Sequence, residues 1–187
     1  MIKNIIDIIV EYFPLLIKGL GVTALLSLIT VFFGAIIGTI ISLMSLSKNK
    51  VLKLIGTTYV EVIRGVPLLL QLLIIYIVLP ASINKFVAAS IALLINSGAY
   101  VAEIIRAGIQ AVDKGQMDAA RSLGLSKKQA MLKVIFPQAI KNILPAIGNE
   151  YVTVIKETSL ASTFYIGDLM TAQKYIGSNT YLYLESY

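Results

Sequence analysis

The chain has 187 residues, of which 57% are hydrophobic and 14% are charged, with a mean hydropathy of +0.84. These values exclude an ordinary soluble domain and indicate an integral membrane protein. Cysteine and histidine are both absent, which excludes disulfides, thiol nucleophiles, the usual zinc or haem ligation and imidazole acid–base chemistry. The sequence also lacks a phosphate-binding loop ending in Gly-Lys-Ser or Gly-Lys-Thr, so any energy source is expected to be a partner.

Four spans are predicted in chain order. No residue is charged between Lys18 and Lys48, a stretch longer than the roughly 20 residues that a helix needs to cross the hydrocarbon. Residues 65–84 form a second uncharged run and residues 86–102 a third. Hydropathy does not reveal the fourth span, because prolines interrupt its beginning and charged residues lie inside it. The predicted spans are residues 16–46, 58–80, 86–110 and 140–164.

The segment before the first span, residues 2–12, is apolar on one face and carries Asp7 and Glu11 on the other. This pattern predicts a segment that lies along the membrane interface. The uncharged run that follows is too long for a signal-peptide core and has no small-residue cleavage pattern after it. We therefore expect this run in the mature protein.

Basic residues predict the orientation of the chain. Lys48, Lys50 and Lys53 follow the first span, and seven more basic residues lie at or after the end of the third. The positive-inside rule then predicts that both groups are cytoplasmic and that the N-terminus is outside. This topology accounts for the net charge of +6 and the pI near 9.4, so no nucleic-acid partner is predicted. The seven residues are Arg106, Lys114, Arg121, Lys127, Lys128, Lys133 and Lys141.

The loop after the third span, about residues 112–136, is predicted to hold two short helices joined by a tight turn. Residues 116–123 favour a helix that ends at Gly124, the residue type that best tolerates a left-handed conformation. Ser126 with Gln129 forms a capping-box pattern, which restarts a helix that is expected to run until Pro137. An amphipathic connector lying on the membrane surface is the alternative interpretation.

Two adjacent charged residues, Lys156 and Glu157, lie in the predicted fourth span. A helix rises about 16 Å from Pro145 to Lys156, about half the hydrocarbon thickness, which predicts that Lys156 lies near the midplane. Ionisable groups persist at this depth only where they face a bundle interior or a water-filled path. The two residues therefore predict a functional site, with structural pairing to neighbouring helices as the alternative.

Four ordered motifs resemble one known family, the permease subunits of bacterial ABC transporters, in particular the polar amino acid uptake group of type I importers. Residues 115–124 (GQMDAARSLG), followed by Pro137, Gln138, Ala139 and Pro145, resemble its coupling loop. The other three motifs are residues 59–67 (YVEVIRGVP), 98–106 (GAYVAEIIR) and 156–160 (KETSL). Glutamate is usual in the family where this chain has Asp118.

The resemblance implies the fold class: an all-α, polytopic membrane helical bundle with cytoplasmic coupling helices. The family has a fifth span near its C-terminus, whereas this chain stops at Tyr187, so a permease fold without the last span is expected. The whole chain, residues 1–187, is predicted to be a single transmembrane permease domain.

The resemblance also implies a function: the permease subunit of an ATP-driven amino acid importer, located in the bacterial inner membrane and not itself an enzyme. The expected partners are a cytoplasmic ABC ATPase, a second permease subunit, identical or homologous, an extracytoplasmic solute-binding protein, a small-molecule amino acid and membrane lipid. No cofactor or metal is predicted in this subunit, since ATP and Mg would be bound by the ATPase. A secondary, ion-coupled transporter and a truncated, non-transporting interaction protein are the alternatives.

The resemblance further suggests site residues. The expected contacts with the ATPase are Gly115, Asp118, Ala119, Ala120, Gly124 and Pro137. An amino acid needs donors for its carboxylate and acceptors for its ammonium, and the candidates for the carboxylate are Lys156, Thr158 and Ser159. The candidates for the ammonium or for a basic side chain are Glu150 and Glu157. Polar residues of the third span complete the predicted pocket: Asn96, Ser97 and Tyr100.

Two weaker patterns have structural interpretations. The carboxylates of Glu61 and Glu103 precede Arg64 and Arg106 by three residues each, a spacing that allows pairing along one helical face. A Gly-x-x-x-Gly pattern in the first span, formed by Gly34 and Gly38 (GAIIG), permits close helix packing.

Overall fold

All regular elements are helices in the computed structural model, which describes residues 2–186, with side chains from residue 4 onward; no strand occurs within that range. The all-α prediction is confirmed. The elements are α1 (Ile2–Ser45), α2 (Lys50–Gly65), α3 (Leu68–Val78), α4 (Lys85–Gln110), α5 (Lys114–Ser122), α6 (Lys127–Ala130), a π turn (Met131–Ile135), α7 (Phe136–Glu157), a 3-10 segment (Thr158–Phe164), α8 (Leu169–Thr180) and α9 (Tyr183–Ser186).

Three stretches of the described chain are long and apolar enough to cross a membrane: Asn4–Ser45, Lys85–Gln110 and Lys127–Phe164. Helices α2 and α3 pass the same test together but are bent by 105°, so they supply a fourth span if the bent pair is counted as one. The bend follows from Pro67, because the residue before a proline is driven to extended backbone. Val66 has φ −105° and ψ 131°.

The N-terminal segment differs from its prediction. Residues 2–12 continue without a break into the first span as part of α1, and Pro14 lies inside that helix. A helix that lies in the plane of the interface needs a bend before a span begins, and α1 shows no break between residues 2 and 45. The predicted interfacial segment is therefore an extension of the first span. Its Asp7 and Glu11 are exposed, and Ile8 is buried.

Contacts divide the chain into two compact units. The first unit comprises Met1–Val31, Leu68–Leu93 and Thr153–Tyr187, and the second comprises Phe32–Pro67 and Leu94–Val152. The prediction of a single domain stays a prediction. Apolar packing holds the first unit together, with Tyr76 stacked on Phe164 at 4.6 Å between ring centroids. The buried core of the first unit is Leu26, Leu72, Ala89, Ala92, Leu93, Ala161 and Phe164.

Glycines allow the α1 and α4 portions of the second unit to pack closely. A Cβ at Gly38 would lie 2.6 Å from Cβ of Val101, and one at Gly34 would lie 3.0 Å from Oγ of Ser97. The close packing predicted from the Gly-x-x-x-Gly pattern is therefore present. The Tyr59 hydroxyl on α2 donates to a backbone carbonyl of α4 at 2.7 Å, which ties a third helix to this pair.

The two short helices of the predicted coupling loop form as α5 and α6. The turn between them contains Gly124 with φ +86°, a conformation that glycine adopts without a steric penalty. The hydroxyl of Ser126 accepts from the backbone N–H of Gln129, and the Gln129 side chain accepts from the backbone N–H of Ser126. Both local predictions, the glycine stop and the capping box, are confirmed.

The second helix does not end at Pro137 as predicted. A π turn follows α6, and α7 begins at Phe136 and runs through both Pro137 and Pro145. Pro137 thus lies inside a continuous helical stretch, Lys127–Phe164. The π turn directly before it, in which the N–H of Phe136 donates to the carbonyl of Met131, is the kind of local adjustment that allows a helix to continue through a proline.

Candidate functional site

The first unit contains an open cavity of about 480 Å³, which we call the first-unit cavity. Three of the predicted substrate residues line it: Lys156, Thr158 and Ser159. The last turns of α7 and the 3-10 segment carry these three side chains, and apolar residues of α1 also line the cavity. The apolar lining residues of α1 are Ile5, Ile8, Ile9 and Leu16.

The two hydroxyl groups in this cavity have structural roles. The Thr158 hydroxyl donates to the carbonyl of Ile155, and the Ser159 hydroxyl donates to the carbonyl of Lys156, each at 2.6 Å. A hydroxyl has one proton to donate, so in this conformation neither can also donate to a substrate carboxylate. Lys156, which is exposed, is the one predicted carboxylate partner with an ammonium group at this cavity. Glu157 is half-buried at the end of α7.

Two further residues of this cavity were not predicted. Asp168 and Gln173, at the beginning of α8, also line it and are almost completely buried, with 1% and 7% of their surface exposed. The sequence offered only a weak signal for Asp168, which follows Gly167 and reads as an ordinary helix start. Nothing in the sequence indicated that either side chain would be enclosed.

The remaining predicted substrate residues lie in the second unit. Oγ of Ser97 donates to Oε1 of Glu150 at 3.2 Å, and both residues are buried. Asn96 is also buried on α4, and the ring of Tyr100 lies 5.1 Å from the guanidinium carbon of Arg64. Residues 96, 97, 100 and 150 thus belong to one compact unit, as Lys156, Thr158 and Ser159 belong to the other.

A second cavity, of about 490 Å³, lies within the second unit and is lined by paired charges; we call it the second-unit cavity. Arg106 donates to both carboxylate oxygens of Glu103, at 2.9 and 2.5 Å, and to Gln110 at 2.9 Å. The guanidinium of Arg64 approaches the same carboxylate at 3.8 Å. The predicted Glu103–Arg106 pair is confirmed. No ion pair joins Glu61 to Arg64 within residues 4–186, because Arg64 faces Glu103 instead.

Most of the predicted ATPase-contacting residues are on the surface of the chain. Asp118, Ala119 and Gly124 are exposed, as are Gly115 and Pro137. The predicted contact at Ala120 is different: this side chain is 4% exposed, because α5 packs against the π turn and encloses it. Ala120 therefore supports the helix pair from within and is not available as a surface contact.

The chain resembles known transport proteins over most of its length. The family described as "Binding-protein-dependent transport system inner membrane component" matches residues 31–183. A Rickettsia bellii protein provisionally named as the glutamine transport system permease protein GlnP is 44% identical over 90% of this chain and 79% of its own length. The Bacillus subtilis arginine transport system permease protein ArtQ is 43% identical over 92% of this chain and 80% of its own length.

A solved structure agrees with these relatives. The crystal structure of an amino acid ABC transporter with histidines has 50% sequence identity and a TM-score of 0.90, covering 96% of this chain and 85% of that one. The secondary-transporter and interaction-protein alternatives are not favoured by these matches. The chain therefore belongs to the family of binding-protein-dependent transport system inner membrane components, and it is a multi-pass permease subunit of an ATP-driven importer.

Proposed function

We propose that Lys156 binds the carboxylate of the transported amino acid at the first-unit cavity. The observation that supports this role is that an exposed ammonium group lines a cavity of about 480 Å³ on one of the candidate spans. Ammonium groups at membrane depth are costly unless they face water or a partner of opposite charge. Every α-amino acid carries a carboxylate, so this contact does not depend on the side chain. In this proposal Thr158 and Ser159 shape the 3-10 segment that presents Lys156.

We propose that other residues decide which amino acid side chain the transporter prefers. Glu150, with its hydrogen bond from Ser97, and Glu157 are the proposed acceptors for a basic side chain. Asn96 and Tyr100, which belong to the same unit as Glu150, are further candidates for contact with the side chain. The relatives are named for glutamine and for arginine transport, one neutral and one cationic side chain. A common site for the carboxylate with a separate contact for the side chain is compatible with both.

The Lys156 role is tested by uptake of L-arginine, L-glutamine and L-histidine into vesicles that contain the assembled transporter. Loss of one charge-assisted contact should raise the apparent KM of Lys156→Ala for the transported amino acid about tenfold to a hundredfold. Lys141→Ala, which removes an exposed lysine from the same helix, is the matched control and should leave uptake unchanged. An unchanged KM in Lys156→Ala, at normal membrane abundance, would remove Lys156 from the site.

We propose in addition that α5 and α6 dock into a groove of a cytoplasmic ATPase, which binds ATP and Mg while this subunit binds neither. The exposed Asp118, Ala119 and Gly124 are the proposed contacts, with Gly115 and Pro137 at the edges of the helix pair. Helix-in-groove recognition suits this role, because a rigid helix transmits displacement that a flexible loop would absorb. The capping box fixes the start of α6, and α5 packs against both α6 and the π turn.

The remaining parts of the proposal concern assembly and orientation. This subunit forms the translocation path with a second permease subunit and receives the amino acid from an extracytoplasmic solute-binding protein. The loops that carry residues 48–53 and 106–141 are on the cytoplasmic side and the N-terminus is outside. These assignments rest on family membership and on the distribution of basic residues. Closure of the ATPase upon ATP binding would move α5 and α6 and switch the exposure of the path.

A further inference from the structure

We infer that Asp168 and Gln173 bind the α-ammonium group of the amino acid whose carboxylate contacts Lys156. This inference rests on the proposed site at the first-unit cavity and adds the acceptor half of that site. Both residues line the same cavity as Lys156. Both also have a buried oxygen without a hydrogen-bond partner, Oδ2 of Asp168 and Oε1 of Gln173.

The position of Asp168 before α8 does not account for its carboxylate. An aspartate at a helix N-cap normally accepts a hydrogen bond from a backbone N–H of the first turn, but Asp168 makes no such bond. Its Oδ1 accepts from the hydroxyl of Thr171 instead. The second oxygen, Oδ2, therefore has no structural role in capping the helix.

No protein cation compensates this carboxylate. Among the side chains of residues 4–186, no lysine or arginine forms an ion pair with Asp168, and Lys174, on the same helix, donates to Oγ of Ser162 at 2.9 Å. An enclosed carboxylate without an opposite charge is costly by several kcal/mol, and a buried acceptor atom such as Oδ2 is normally paired. A site of this kind is expected to receive a donor from a ligand.

Packing against α1 fixes the Asp168 backbone. A Cβ added at Gly19 would lie 3.0 Å from Cα of Leu169 and 3.2 Å from the carbonyl carbon of Asp168. The backbone N–H of Leu169 donates to Oγ of Thr23 at 3.1 Å. These two contacts hold the peptide group that joins Asp168 to Leu169, so the backbone that carries the carboxylate is positioned before any ligand arrives, which lowers the entropy cost of binding.

The chemistry of the two acceptors points to an ammonium group. The Gln173 amide nitrogen donates to Oγ of Ser186 at 3.0 Å, which leaves its Oε1 as an acceptor. One charged and one neutral acceptor suit an ammonium, which has three donors and a single positive charge. A divalent cation such as Ca²⁺ needs six or more oxygen ligands, more than this wall supplies. The opposite charge of Lys156 at the same cavity matches the zwitterion of an amino acid.

The test combines a change in the protein with a change in the ligand. Binding of L-arginine and L-glutamine, and of the deamino form of each, is measured by calorimetry on the purified permease–ATPase complex. The deamino ligands lack the ammonium group and add no bulk. In Asp168→Asn, which keeps the shape of the side chain and its acceptor for Thr171, we expect about tenfold weaker binding of the amino acid and less than about threefold change for its deamino form. Asp7→Asn, at an exposed carboxylate outside the cavity, is the matched control and should change neither.

The outcomes separate this inference from the proposed site. If Asp168→Asn weakens the binding of the amino acid and of its deamino form equally, or weakens neither, the ammonium assignment is overturned. Weaker binding in Lys156→Ala would still support the carboxylate site in that case. Unaltered binding in Lys156→Ala would overturn the proposed site itself. If Asp168→Asn fails to assemble, Gln173→Met removes the second acceptor, and we expect it to weaken the binding of the amino acid more than that of the deamino form. Equal effects on the binding of the two ligands in that variant would overturn the inference.

Discussion

The two cavities of this permease have almost the same volume, about 480 Å³ in the first unit and about 490 Å³ in the second, but they differ in whether a buried or half-buried carboxylate has a cationic partner. In the second unit, the Glu103 carboxylate is compensated by Arg106 and approached by Arg64. In the first unit, Asp168 is more deeply buried, and one of its oxygens has no partner. A carboxylate that is paired with a cation of the protein stabilises the fold. A carboxylate without such a cation is expected to bind a cationic group of a ligand.

The comparison is tested most strongly by neutralising the two carboxylates in the ligand-free protein. Glu103→Gln removes the charge that compensates Arg106, so we expect the free energy of unfolding to fall by about 2 kcal/mol. Asp168→Asn removes a charge that no protein group compensates, so its stability should stay within about 1 kcal/mol of the original or rise. Unfolding by denaturant titration in detergent measures both. Equal destabilisation by the two substitutions would contradict the assignment of different roles.

Helix packing offers a second contrast, along α1 itself. Gly38→Ala places a Cβ 2.6 Å from Cβ of Val101, and overpacking of this kind should lower stability by about 1–3 kcal/mol. Gly21→Ala adds the same methyl group where nothing lies within 4 Å, and it should be neutral or stabilising by up to about 1 kcal/mol. The same unfolding assay compares the two alanines. A loss of stability at Gly21 as large as that at Gly38 would show that close contact with α4 is not the cause.

The smallest expected effect concerns the hydrogen bond that holds Asp168 in place. Thr23→Val keeps the shape of the side chain but removes the acceptor of the Leu169 N–H, which should cost about 1 kcal/mol. Thr39→Val, on the same helix, removes an exposed hydroxyl that donates only to the carbonyl of Ala35 in its own helix, and it should change stability by less than about 0.5 kcal/mol. Binding of L-arginine or L-glutamine should weaken in the first variant alone. Unaltered binding there would mean that Thr23 does not position Asp168.

Local signals were sufficient to predict much of the fold. The Gly124 stop and the Ser126–Gln129 capping box depend on neighbours within a few residues, so the sequence contains their full cause. The pairing of Glu103 with Arg106 is similarly local, because both residues lie one turn apart on one helix. Close packing at Gly38 could be predicted because few reasons other than contact favour repeated glycines inside a span.

Features that depend on distant parts of the chain were not predictable in this way. Ala120 was expected on the surface, and its burial depends on how α5 packs against the π turn. Continuation of the helix through Pro137 depends on that same π turn, which has no clear sequence signature. The enclosure of Asp168 requires Gly19 and Thr23, which are more than a hundred residues away in the sequence.

The central claim is that α5 and α6 couple this permease to a separate ATPase. Gly124 has φ +86° and is exposed, and a Cβ added there would meet no atom within 4 Å. Gly124→Asp therefore adds a charge to the proposed docking surface without a clash with neighbouring atoms, and its remaining cost is the backbone strain of a side chain in the left-handed region. Gly124→Asn has nearly the same shape and tolerates the left-handed backbone equally well, which makes it the matched control for strain.

The decisive measurement is ATP hydrolysis by the reconstituted transporter, with and without the loaded solute-binding protein. We expect Gly124→Asp to abolish the stimulation of hydrolysis while membrane abundance stays normal, and Gly124→Asn to retain most of it. Full stimulation in Gly124→Asp would contradict the claim that this helix pair transmits the motion of the ATPase.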